Sequence, residues 1–192
     1  MTAATCGDPQ AACFRGRQGA GRLLVSGEAE PVVRVLGLDP GTERTGYGCV
    51  GMGPDGPVRV ASGVLRLGRG SLAERLDRLY RELVHLFCTY QPQECAVEGV
   101  FHHRNVRSAL LLGHARGVCL LAAATHGVPV SEYAPAVVKR AVTGHGAAEK
   151  DRVATMVAGL LRFVPQGEFD ETDALAIALC HLEAARPLRW ME

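Results

Sequence analysis

The sequence predicts an α/β fold: a mixed five-stranded sheet, an antiparallel meander followed by parallel strands, flanked by helices. Three observations carry that expectation. Short Val- and Leu-rich runs occupy the chain before Gly68, divided by the turn-forming groups Pro40-Gly41 and Gly53-Pro54-Asp55-Gly56-Pro57, which is how sequential antiparallel strands announce themselves. A helix-period segment then precedes a fourth apolar run, Cys95-Ala96-Val97-Glu98, as a parallel pairing requires. Beyond it, helical periodicity dominates, interrupted by one more extended run at Val128–Tyr133.

Residues 1–31 mix Gly, Ala, Pro and Arg with no sustained period, and such a segment buries too little to offset its ordering entropy. It is expected to be a disordered tail preceding a domain over 32–185, with a short tail at 186–192. The first strand runs Val32–Asp39, the second Thr45–Gly51 and the third Val58–Leu67. Ser71 caps a helix whose Leu72, Leu76, Leu79, Leu83, Leu86 and Phe87 recur at helical spacing, and Pro92 ends it. Asn105–His126 is the longest helical candidate, with Leu110, Leu111, Ala115, Val118, Leu121 and Ala122 on a broad apolar face. Its Gly113 and Gly117, four apart, suggest close helix packing. Pro135 opens a short helix to Val142, Glu149–Phe163 carries an apolar stripe, and from Asp170 an acidic first turn leads into Ala174-Leu175-Ala176-Ile177, the charge order that the helix dipole favours.

A chain of 192 residues, 47% hydrophobic and 21% charged, is long enough for one well-buried core. The net charge of +1 supplies no overall basic footprint for nucleic acid, so any basic surface is local. Cys6, Cys13, Cys49, Cys88, Cys95, Cys119 and Cys180 form no C-x-x-C pair and are odd in number, which indicates neither a zinc knuckle nor a disulfide framework. Reduced thiols in a cytoplasmic protein are expected. No apolar run of membrane-spanning length and no signal-peptide pattern stands out.

Four acids then invite a common explanation. Asp39 and Glu98 end apolar strands expected to lie side by side, so neither has a capping task. Asp170 and Asp173, three apart, share one helix face, where dipole compensation would account for them if they stood alone. Converging, the four repel one another unless a cation is present. An oxygen-only set of this kind suits Mg2+ or Mn2+, and two such ions support in-line displacement at a phosphodiester. Ser71 and Ser108 have no evident His and Asp partners, and His102-His103 reads as solvated loop.

The motifs resemble those of the RuvC-type Holliday-junction resolvases of the ribonuclease-H-like superfamily. The resemblance runs from about Val35 to Glu183: Leu36-Gly37-Leu38-Asp39-Pro40-Gly41 with Thr45-Gly46-Tyr47-Gly48, Ala96-Val97-Glu98 with Val100-Phe101, Ser108-Ala109-Leu110 through Gly117, Val138-Lys139-Arg140 through Lys150, and Asp170 through Ala178. It implies a ribonuclease-H-like fold and a homodimeric, Mg2+-dependent endonuclease that binds four-way DNA junctions. Symmetric nicks in like-polarity strands would leave 5′-phosphate and 3′-hydroxyl ends, and RuvA and RuvB would be partners.

Asp39, Glu98, Asp170 and Asp173 fall on the family's catalytic and metal positions. By the same resemblance Phe101 stacks at the junction and Lys139 and Lys150 meet the backbone, a surface that Arg104, Asn105, Arg107 and Arg140 extend. Gly99 and His102-His103 depart from the family pattern where cleavage sequence is read. Two other classes share some of these features. An actin-like phosphotransferase or ATPase also begins with a Gly-x-Asp-x-Gly-Thr turn but needs two lobes, and a junction-binding protein that does not cut has no use for four repelling carboxylates beside a polyanion.

Overall fold

A computed structural model describes residues 33–99, 106–165 and 169–189, the side chains of 186–189 excepted. The stretch 1–31, Phe101, His102-His103, Arg104 and Asn105 lie outside the described residues. β1 (Arg34–Asp39), β2 (Arg44–Gly53), β3 (Gly56–Arg66), β4 (Glu94–Glu98) and β5 (Val130–Tyr133) form one sheet in the order β3-β2-β1-β4-β5. The first three pair antiparallel, and β1-β4 and β4-β5 are parallel. This is the expected meander followed by parallel strands.

The β2–β3 hairpin is tighter than expected, because Gly53 pairs Gly56 and Met52 pairs Pro57, leaving Pro54-Asp55 as the turn. Pro57 is tolerated inside β3 because that strand is at the sheet edge.

Side-chain alternation divides the core in two. Leu36, Leu38, Cys49, Leu65, Cys95 and Val97 pack against α1 (Leu72–Tyr90) and α2 (Val106–Thr125), whose Leu79, Leu83, Phe87, Ala115, Cys119 and Ala122 are buried there. Val35, Val50 and Ala96 pack against α3 (Pro135–Thr143), α4 (Lys150–Leu161) and α5 (Phe169–Arg189). α1 starts as expected, with a reciprocal Ser71–Glu74 capping box, and stops where Gln91 turns left-handed ahead of Pro92. α5 continues through Arg189 into the stretch anticipated as a tail.

α2 differs from its expected packing. Leu110 and Leu121 face outward, and an added Cβ at Gly113 or Gly117 would meet nothing within 4 Å. The glycines therefore serve no packing within the described chain. By length and composition α2 also passes as a membrane-spanning segment, although its Ala115–Cys119–Ala122 face lies in the core. Cys49, Cys95, Cys119 and Cys180 are free and buried.

Far from its acidic start, α5 is tied to the sheet by buried His181. Its Nε2 pairs with the Glu94 carboxylate and its Nδ1 lies 2.8 Å from the Tyr133 hydroxyl. With the ring neutral, Nε2–H donates to Glu94 and Nδ1 accepts from Tyr133, so one side chain joins α5, β4 and β5.

Candidate active site

Strand direction alone brings two carboxylates together. β1 ends in Asp39 and β4 in Glu98, and parallel pairing sets Leu38 beside Val97. The acids leave the sheet at one edge on neighbouring strands, about 5 Å apart in backbone spacing. The turn after Asp39 is fixed by buried Thr45, whose hydroxyl donates to the Gly41 carbonyl at 2.9 Å and accepts from the Gly41 N–H at 3.2 Å. A Cβ at Gly41 would fall 2.2 Å from the Arg44 carbonyl oxygen, so the turn closes this tightly only around glycine.

α5 supplies Asp170 and Asp173 because a floor of glycines lets it descend onto the sheet. Gly37 and Gly48 are cross-strand partners, and Gly46 stands opposite Asp39. A Cβ at Gly37 would lie 2.2 Å from the Ala174 carbonyl oxygen, one at Gly46 only 1.9 Å from that of Asp170, and one at Gly48 within 2.8 Å of Leu175. The helix backbone thus rests on strand backbone directly above the edge where Asp39 emerges. These three glycines are positioning residues that sequence reasoning did not single out. Their available signal was the alternation of Gly46 and Gly48 opposite Gly37 in paired strands.

The other three acids are felt at Asp39. Burial first, and then the negative charges of Glu98, Asp173 and Asp170, together push the Asp39 carboxyl up to about 7. Lys150, at the start of α4, opposes them: its Nζ donates to Asp173 Oδ2 at 2.8 Å, and this bond, ahead of other causes, raises the lysine's own pKa and keeps it cationic. The neighbouring acid in the sequence run is sorted elsewhere. Glu171 is buried and accepts from the Ser62 hydroxyl at 2.6 Å, which in turn accepts from Arg59 at 2.9 Å.

Among the described residues no three His, Cys, Asp or Glu side chains are drawn in to ligand distance as a set. The residues nonetheless fit a hard cation, because the donors are all carboxylate oxygens and the mutual repulsion recorded at Asp39 is what a cation relieves. Lys150 is brought to the acids. Lys139, half-buried on α3, makes no ion pair with them, and Arg140 is exposed on the same helix. Phe101, Arg104 and Asn105 are outside the described residues.

The family model described as "Crossover junction endodeoxyribonuclease RuvC" matches residues 35–181. A protein of that name from Halorhodospira halophila is 51% identical over 152 residues, covering 78% of this chain and 90% of the relative. Another from Alkalilimnicola ehrlichii is 47% identical, covering 79% and 92%. Among solved structures, that of Thermus thermophilus RuvC in complex with a Holliday junction substrate superposes with a TM-score of 0.75 at 35% identity, covering 81% of this chain and 96% of that one.

Proposed function

This chain belongs to the RuvC family of crossover junction endodeoxyribonucleases, and from that premise we propose how its residues serve the reaction. It is a Holliday-junction-resolving endonuclease of DNA recombination and repair, and like its family it is metal-dependent. In this reading Asp39, Glu98, Asp170 and Asp173 hold Mg2+, two ions per site, with Mn2+ able to substitute. Bound by these four carboxylates, such ions would supply activation of the attacking water and charge stabilisation at the leaving oxygen of an in-line displacement. The observation that carries the reading is the Asp39 carboxyl, half-buried at a strand end and raised by burial and by the charges of the other three acids.

The chain's own groups do the positioning. Asp39 is held at the sheet edge by the Thr45-locked turn, and Asp170 and Asp173 by the glycine floor. Lys150 holds the Asp173 carboxylate and keeps a fixed positive charge beside the acids, suited to a scissile phosphate. Lys139 meets the DNA backbone near the scissile site, Arg104 and Asn105 extend the DNA-binding surface, and Phe101 stacks on a junction base. Products carry 5′-phosphate and 3′-hydroxyl ends.

The protein is proposed to work as a homodimer in the cytoplasm, alongside RuvA and RuvB. The RuvA and RuvB partnership rests on family membership. The dimer has support of its own in the outward stripe of α2.

The test is a synthetic four-way junction incubated with Mg2+, with EDTA, and with the Asp39→Asn variant. Paired nicks are expected only for the unaltered protein with Mg2+, and junction binding is expected to survive the substitution. Normal cutting by the Asn variant would overturn the metal-site assignment.

A further inference from the structure

On the same edge of the sheet as the acids, but on the far side of the β1–β2 turn, lies a cavity of about 580 Å³ lined by Glu43, Arg44, Arg66, Arg69 and Arg75, with Gly68 and Gly70. We propose that this arginine pocket is a second DNA site, holding backbone phosphates of the junction away from the scissile bond. The proposal rests on the junction-resolving reading given above and adds to it a surface outside Lys139, Lys150 and the Phe101 loop.

Charge is the first observation. Four arginines face one glutamate here, in a chain whose net charge is only +1, so positive charge is concentrated at this point. Arg44 and Arg66 are direct cross-strand partners at the ends of β2 and β3, which sets two of these guanidinium groups side by side.

Rigidity is the second. Arg75 donates from Nη1 to the Thr42 carbonyl at 3.0 Å, while its Nε is buried without a hydrogen-bond partner. Arg78 donates to the Leu67 carbonyl at 2.7 Å and lies against Gly68, while Glu74 lies against Gly70, both glycines being at positive φ. Leu67 N–H in turn bonds the Glu43 carbonyl at 3.0 Å. The cavity walls are thus pinned to one another through backbone carbonyls, and the Arg75 guanidinium held this way matches phosphate oxygens with little ordering cost.

Position is the third. Arg66 ends β3, Arg44 starts β2, and Asp39 ends β1, three neighbouring strands of one edge. The pocket is therefore about 10 Å from Asp39, two strand spacings. That is the distance of a neighbouring stretch of backbone on DNA already seated over the acids. Because Arg75 grips Thr42 in the turn that follows Asp39, DNA held here is registered against the catalytic edge.

The test measures junction affinity in EDTA across a range of salt for the full chain and for the triple variant Arg44→Gln, Arg66→Gln, Arg69→Gln. Arg75 is left intact because it secures the turn. The plot of log affinity against log salt is expected to flatten by about one to two units, and affinity at about 0.15 M salt to fall roughly tenfold. The Arg→Lys triple variant keeps the charge and is expected to keep most of the slope. Replacing single phosphates of the DNA by neutral methylphosphonates maps the same contact on unaltered protein. Methylphosphonates away from the scissile bond that weaken wild-type binding are expected to have no further effect on the Gln variant. An unchanged slope in the Gln variant, with no such coupling, overturns the proposal, whether the pocket then proves to take inorganic phosphate or an acidic protein segment. Wild-type protein that shows no preference for a four-way junction over duplex DNA would instead overturn the junction reading itself.

Discussion

At Asp39, burial and three like charges all favour the protonated form, so its ionisation works against folding until a cation arrives. The folded-state pKa of about 7 lies above the ordinary 3.8. Stability from the retained proton is therefore complete below 3.8, declines as pH rises between the two values, and is lost above about 7. Asp39→Asn removes this penalty. In EDTA at about pH 8 the Asn variant is expected to be more stable than the wild type by up to roughly 4 kcal/mol. The gap should narrow steadily as pH falls below 7 and vanish below 3.8. Adding Mg2+ reverses the order, because the wild type gains by mass action what the variant cannot. Denaturant midpoints at several pH values, with and without Mg2+, check both statements. Equal stabilities across the range would mean that Asp39 does not carry the repulsion assigned to it.

The elements explain why those acids meet, and here the glycine floor is decisive. Gly46→Ala places a Cβ against the Asp170 carbonyl oxygen, and since both sides of that contact are backbone, the first turn of α5 must lift. A stability loss of about 1 to 3 kcal/mol is expected, together with a fall in cleavage rate of about 100-fold, as a misplacement near 1 Å can cause. Gly159→Ala, on α4 with nothing within 4 Å of the added Cβ, should instead stabilise by roughly 0.5 to 1 kcal/mol and leave cleavage unchanged. Denaturation and single-turnover cleavage on the same preparations separate the two effects. The contrast shows what was legible in the sequence. Asp39 and Glu98 stood out because an acid closing an apolar run needs a reason. The strand order followed from turn residues and a crossover helix. Gly37, Gly46 and Gly48 read only as permissive strand positions, because their reason is a helix packed over them from far along the chain. Likewise the roles of His181 and Glu171 depend on Glu94, Tyr133 and Ser62, partners distant in the sequence.

For the whole molecule, the outward face of α2 is the feature that one copy leaves unexplained. Val106, Leu110 and Leu121 are 74%, 62% and 55% exposed, and with Gly113 and Gly117 they fall on one stripe at helical spacing. Glycines that face open space cost helix stability and return nothing within the described chain. They are useful where a second backbone approaches, so the stripe is where the proposed homodimer packs. Leu110→Glu puts an uncompensated charge into that contact, and a loss of several kcal/mol in association is expected, read as a shift from dimer to monomer by sedimentation. The substitution touches neither the core nor the acids, so the thermal midpoint at high dilution should barely change. A supercoiled plasmid with an extruded cruciform then reports the consequence. Two coupled active sites nick both strands in one encounter and yield linear product, whereas separated subunits yield mainly nicked circles, so the linear-to-nicked ratio should fall about tenfold or more, in step with the loss of dimer by the affinity relation. A variant that sediments as a monomer yet still produces linear DNA in a single encounter would show that pairing of the cuts does not depend on this face of α2.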